Sequence, residues 1–152
     1  MKQQTIILFK TTVIAWFLFW GFILYEMFWP PVIFQYNILP LPVSKSQVLP
    51  GETISYHGDY CKYTGAPADV TYALEKQMTK QEKQQGISDI KIIFDEIKKS
   101  NLPLGCHTID PAIPIPTGTQ PGIYRIVKTI HSQINTYRQV DLQFYSEWFT
   151  VL

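Results

Sequence analysis

The sequence predicts a mainly β chain, with an N-terminal transmembrane helix followed by a small antiparallel β-sandwich. Three observations carry this. One long apolar run lies near the N-terminus. Beyond it, short segments alternate bulky apolar and polar residues, the period of a half-buried strand. Those segments are punctuated by Pro-Gly pairs at 50–51 and 121–122, which mark turns.

The apolar run is residues 11–29, TTVIAWFLFWGFILYEMFW, in which Glu26 is the one charge. As a helix these nineteen residues reach about 28 Å, close to the roughly 30 Å hydrocarbon core of a bilayer. Ile6 to Phe9 are apolar too, so the helix can begin before Lys10, whose ammonium then snorkels to the headgroups. Pro30 and Pro31 end it. Lys2 and Lys10 precede the run, and the next basic residue after it is Lys45. That asymmetry predicts a cytoplasmic N-terminus and a C-terminal domain in the periplasm or outside the cell. The competing reading, a cleaved signal peptide, needs small residues at the cleavage site, whereas this run ends in bulky residues and prolines. The stretch therefore reads as a retained signal-anchor. Glu26 has two readings: a residue one turn from the outer interface that reaches water, or an intramembrane contact to a partner helix.

The domains expected are a cytoplasmic head at 1–10, the transmembrane helix at 11–29, a proline-rich extended stalk or first strand at 30–47, and the β-sandwich domain at 48–152. Residues 53–63 read as a strand with Ile54, Tyr56 and Tyr60 on one face, and Gly58 marks a bulge or a close backbone approach. Residues 68–75 alternate again, with Val70, Tyr72 and Leu74 together. Residues 76–85 are polar and read as a solvated loop. Residues 87–99 fit both periods, and their β neighbours favour a strand. Pro111 and Pro114 confine any strand at 106–115 to an edge. Residues 123–131 are β-rich, 135–138 form a loop, and Val140, Leu142 and Phe144 define a half-buried strand. Phe149 and Val151 close the β pattern.

The Pro50-Gly51 turn before a strand, and Gly122-Ile123-Tyr124 opening a later one, make residues 36–152 resemble an immunoglobulin-like or fibronectin-III-like β-sandwich. The layout also resembles small membrane proteins of tailed phages and their bacterial hosts. The resemblance implies an architecture and no activity.

Net charge is +1, a balance that argues against a nucleic-acid binder, which needs a basic face. No glycine-rich phosphate loop and no serine-nucleophile motif is present. Cys61 and Cys106 are the only cysteines. In an extracytoplasmic domain such a pair is expected to form a disulfide. His57, Asp59 and His107 stand near them in sequence and raise the alternatives of a metal site or a thiol nucleophile, but the spacings are not finger-like and adjacent Cys106 and His107 would point to opposite faces of a strand. The adjacent acids Asp95 and Glu96, with Asp89, read as a solvated face. Tyr60, Tyr63, Tyr137, Tyr145 and Trp148 read either as core and edge packing or as a binding patch, and for a patch Tyr63, Tyr137 and Trp148 are the expected partner contacts. These readings lead to a non-enzymatic, single-pass membrane protein without cofactor, metal or small-molecule substrate. Its β domain would meet an envelope or membrane protein. The alternative is a subunit of a larger membrane complex, in which the anchor packs on partner helices through Glu26.

Overall fold

The computed structural model describes residues 2–79, 84, 91–93, 98–100 and 102–152, with side chains for 9–79, 84 and 102–152. It is mainly β, with one helix at the N-terminus.

The helix, α1, runs from Lys2–Phe28, so it begins nine residues before the apolar run. It stops where the chemistry requires. Proline at 30 disfavours helical geometry at Trp29, and the Trp29 amide closes the last turn on the Tyr25 carbonyl at 2.8 Å. Within it, Phe9–Phe28 is long and apolar enough to cross a membrane, and none of it is buried among the described residues.

Twelve strands follow among the described residues. One sheet holds β1 (Phe34–Tyr36), β4 (Gly58–Lys62) and β8 (Gly105–Ile109) in the order β1-β4-β8. A larger sheet runs β2 (Gln47–Val48), β12 (Phe149–Val151), β10 (Gly122–Asn135), β5 (Ala68–Lys76) and β6 (Lys91–Ile93). In it β11 (Arg138–Tyr145) also pairs with β10, and β7 (Lys98–Ser100) with β5. β3 (Thr53–Ser55) and β9 (Ala112–Pro114) pair separately. Every named pair is antiparallel except β2 with β12. The large sheet is built on β10, fourteen residues long. It takes β5 along one edge, and β11 and then β12 along the other. Between β11 and β12 the edge is broken at Ser146, whose hydroxyl accepts from the Ile126 amide at 2.8 Å.

The alternation read from the sequence decides what faces inward. Ile54, Tyr56 and Tyr60 are all buried, as are Val70 and Leu74, with Tyr72 packed against them. From β10, Tyr124, Ile126, Lys128, Ile130 and Ser132 point into the core. The two sheets meet through aromatic rings. Phe144 of β11 meets Phe34 at 5.6 Å and Tyr36 edge-on at 4.9 Å, while Phe34 stacks on Tyr60 within the smaller sheet at 5.0 Å. Gly58 is required by this packing, because a Cβ there would lie 2.6 Å from the Tyr36 ring. Gly51, with φ of 86°, supplies the left-handed position of the Pro-Gly turn.

Several expectations change in detail. Of the two readings of residues 30–47, a stalk or a first strand, the described structure has the strand, at the edge of its sheet. Ile33, Phe34, Tyr36 and Leu41 are core residues, and β1 is laid along β4. The stretch 53–63 is two strands, not one, since the chain leaves β3 at Tyr56 before entering β4. The segment 122–135 extends past the expected end at 131 because β5 and β11 both keep pairing with it. Of residues 87–99, the described parts are strand (β6 and the start of β7). The remainder of that stretch, with Asp89, Asp95 and Glu96, lies outside the described residues, as does half of the loop expected at 76–85.

Candidate interaction surfaces

The expected contact residues fall at two places on the domain. The first is the base, where α1 meets the β10–β11 turn. The Asn135 side-chain amide donates to the Glu26 backbone carbonyl and to its carboxylate, the latter at 3.2 Å. Arg138 donates to the Pro30 carbonyl at 2.7 Å. Helix C-termini leave carbonyls without intrahelical partners, and here a turn more than a hundred residues away caps one of them. Glu26 therefore meets a residue of its own chain. Tyr137 sits in this turn, two-thirds exposed at 66%, and its amide bonds to the Asn135 side-chain oxygen at 2.9 Å. Tyr63, 50% exposed, lies across the same base. It lines an open cleft of about 410 Å³ with Trp29, Pro30, Pro31, Val32 and Gln35. Trp29 stacks on Tyr25 at 6.1 Å.

The second place holds Trp148, in the break between β11 and β12. The Arg125 guanidinium lies 4.7 Å from its ring and 4.1 Å from that of Tyr145. Arg125 also forks onto Glu75, at 2.8 and 3.3 Å. Trp148 remains 41% exposed. Arg125 stands ten residues along β10 from Asn135, which is about 33 Å of strand. Tyr63 and Tyr137 thus belong to one end and Trp148 to another region. Tyr60 takes the other reading, core packing: it has no exposed surface, in line with its alternation with Ile54 and Tyr56, and its ring lies against those of Phe34 and Tyr36.

Cys61 and Cys106 are register partners of β4 and β8, joined as a disulfide with sulfurs 2.01 Å apart. The neighbouring histidines turn elsewhere. His57 bonds Asp110 at 2.8 Å and lies 3.6 Å from Asp59, while His107 bonds the Leu104 carbonyl at 2.8 Å. The Asp110 hydrogen bond raises the His57 pKa above its ordinary value. Among the described residues no three His, Cys, Asp or Glu side chains gather as a metal site.

Sequence reasoning missed Lys128. It is 1% exposed, and its ammonium donates to the Tyr36 hydroxyl at 2.7 Å. The rings of Phe34, Tyr36, Tyr56 and Tyr72 stand 5.3 to 5.9 Å away. Burial pushes its pKa down to about 7. The signal was available, since Lys128 alternates in phase with Ile126 and Ile130. Asn135 and Arg138, which tie the domain to the helix, gave no comparable signal.

Fold and surfaces together define a class: a mainly β chain carrying one N-terminal apolar helix of membrane-crossing length. No protein-family model matches the sequence, and no curated protein matches it. Among solved structures, the chain is similar to the alkylpurine DNA glycosylase AlkC of Pseudomonas fluorescens bound to DNA containing an abasic site analogue. The identity is 16% and the TM-score 0.43, over 75% of this chain and 30% of that one. It is also similar to the sporulation control protein Spo0M of Bacillus subtilis, at 12% identity and a TM-score of 0.41, over 78% of this chain and 48% of that one. The chain spans less than half the length of either, and neither likeness bears on what it does.

Proposed function

We propose that this chain is a non-enzymatic, single-pass membrane protein that presents an immunoglobulin-like β-sandwich on the extracytoplasmic face for protein–protein interaction. The observation that carries the reading is the junction: an apolar helix that the domain leaves uncovered is capped at its last turn by the base of that domain. A helix of this kind suits a lipid environment, and the junction holds the domain beside it. The immunoglobulin-like reading is supported by two sheets facing across an aromatic core. It is supported too by Tyr124, which opens β10 and donates its hydroxyl to the Gln120 carbonyl four residues upstream, at 2.9 Å. The contact of Glu26 with Asn135 favours this reading over one in which Glu26 serves a partner helix.

The partner face under this reading is the region of Trp148 and Ile123, both partly exposed and remote from the base. Rigid aromatics beside an Arg are the residue types that dominate protein interfaces. The test is photo-crosslinking in cells, with benzoylphenylalanine placed at position 148 or 123 and, as a control, at Gln143 on the open sheet face. A discrete protein adduct from 148 and 123 that is absent from 143 is the expected result. Adducts of equal yield at all three positions, or none at 148 and 123, would refute the assigned face.

A further inference from the structure

We infer that the turn at the base of the domain, residues 135–138, is itself a lipid contact: it seats in the headgroup layer of the bilayer that α1 crosses, with Tyr137 as its interfacial anchor. The inference rests on the membrane-spanning reading of α1 and goes beyond it, because a spanning helix can equally carry a domain on a free tether.

The geometry leaves no room for such a tether. The apolar span is twenty residues, about 30 Å of helix, which matches the hydrocarbon core without surplus. Glu26 is two residues inside the end of that span, or about 3 Å along the axis. Asn135 bonds both the backbone and the side chain of Glu26. The turn that carries Asn135 therefore lies level with the last turn of the span. A side chain next to it cannot stand clear of the headgroups. Arg138 fixes the other end of the turn to the Pro30 carbonyl, so the turn is held at two points.

The exposed side chains at this level match that environment. Tyr137, Tyr63 and Trp29 are aromatic with a polar edge, and all are at least half exposed. Tyr and Trp are the residues that favour the membrane–water interface, where one side is apolar and the other wet. Val32, also exposed, adds apolar surface beside the cleft. The region around Trp148 shows no such link to the helix. The occupant of the base is thus the lipid surface, and the domain has a fixed pose on it.

The test uses the full chain in phosphatidylcholine vesicles. With the native cysteines bridged, a single introduced cysteine carries a nitroxide label. Thr136→Cys reads the turn while keeping Tyr137, Gly118→Cys reads an exposed turn outside the base, and Phe19→Cys reads the middle of α1. The measurement is collision with a water-soluble nickel chelate against collision with lipid-soluble oxygen. At Thr136→Cys, nickel access is expected to be about threefold lower than at Gly118→Cys, with oxygen access higher. Adding Asn135→Ala should restore nickel access at the turn. If Phe19→Cys lies deep in lipid while Thr136→Cys matches Gly118→Cys, the docking is wrong and the span stands. If Phe19→Cys is open to the nickel chelate, the span fails and the docking with it. A turn label shielded from both reagents would mean burial against a second copy of the chain, which also overturns the proposal.

Discussion

Two cations on β10, three residues apart, meet aromatic rings in opposite settings. Arg125 lies on the outer face of the large sheet, over Tyr145 and Trp148, and forks onto Glu75. Lys128 points inward, among four rings, and among the described side chains no carboxylate pairs with it. Strand geometry makes the difference, because an odd separation sends two side chains to opposite faces. The outer cation keeps its partner and some solvent. The inner one keeps a single neutral acceptor, the Tyr36 hydroxyl, and burial favours its uncharged form. A guanidinium suits the first position and a titratable amine the second.

The largest expected effect comes from the inner cation. The ordinary lysine value is 10.5, and in the fold it falls to about 7. Between those values the unfolded chain holds a proton that the folded chain lacks, so stability rises with pH across that window. Below about 7 both states are charged, and Lys128 contributes no slope. Urea unfolding of the full chain in detergent micelles is expected to show a gain on the order of 2 kcal/mol from about pH 7 to about pH 9. Above 10 the sign reverses. Burial raises the Tyr36 and Tyr56 hydroxyls above their ordinary 10, so the stabilisation they contribute is complete below that value and lost above it. Exposed His57 works the other way near neutrality. Its stabilisation is present below 6.5 and lost as pH climbs through its raised value. Lys128→Met should remove the rise between pH 7 and 9 and leave the chain more stable at pH 7. An unchanged slope in that variant would mean that Lys128 is not the titrating group.

The outer cation should respond with the opposite sign. Arg125→Ala leaves Glu75, whose side chain is only 10% exposed, without its partner. The expected cost is about 1.5 kcal/mol, reduced from that of a fully buried pair by the solvent that reaches Arg125. Trp148, uncovered, should shift its emission to the red. Arg125→Lys, which keeps the charge and loses the planar fork, should cost about half as much. If Arg125→Ala and Lys128→Met moved stability in the same direction, the contrast between the two faces would be wrong.

Much of the fold was legible in the sequence, for a physical reason. An apolar run of bilayer length and a period of two are both local properties, and both survive folding. That is why α1 and the buried face of Ile54, Tyr56, Tyr60, Val70 and Leu74 were readable. The same rule applied to Ile126 and Ile130 would have sent Lys128 inward, but a charge is read as an outward residue unless the alternation is allowed to outweigh it. Residues 30–47 read as a stalk or a first strand because prolines punctuate them, and the tertiary pairing that makes Phe34–Tyr36 a strand leaves no local mark. The base of the domain was the least legible. Tyr63 and Tyr137 stood out as aromatics, but what gives them a location is the bonding of Asn135 to Glu26, a contact between distant parts of the chain that no local pattern encodes.

The central claim is that the β domain stands outside the cytoplasm on one membrane span. The most direct test is thiol labelling of intact cells with a membrane-impermeant maleimide, using the native cysteines. If the domain stands outside as proposed, Cys61 and Cys106, which are bridged, are labelled only after reduction. Cysteines that react only once the cells are lysed would place the domain inside and contradict the claim.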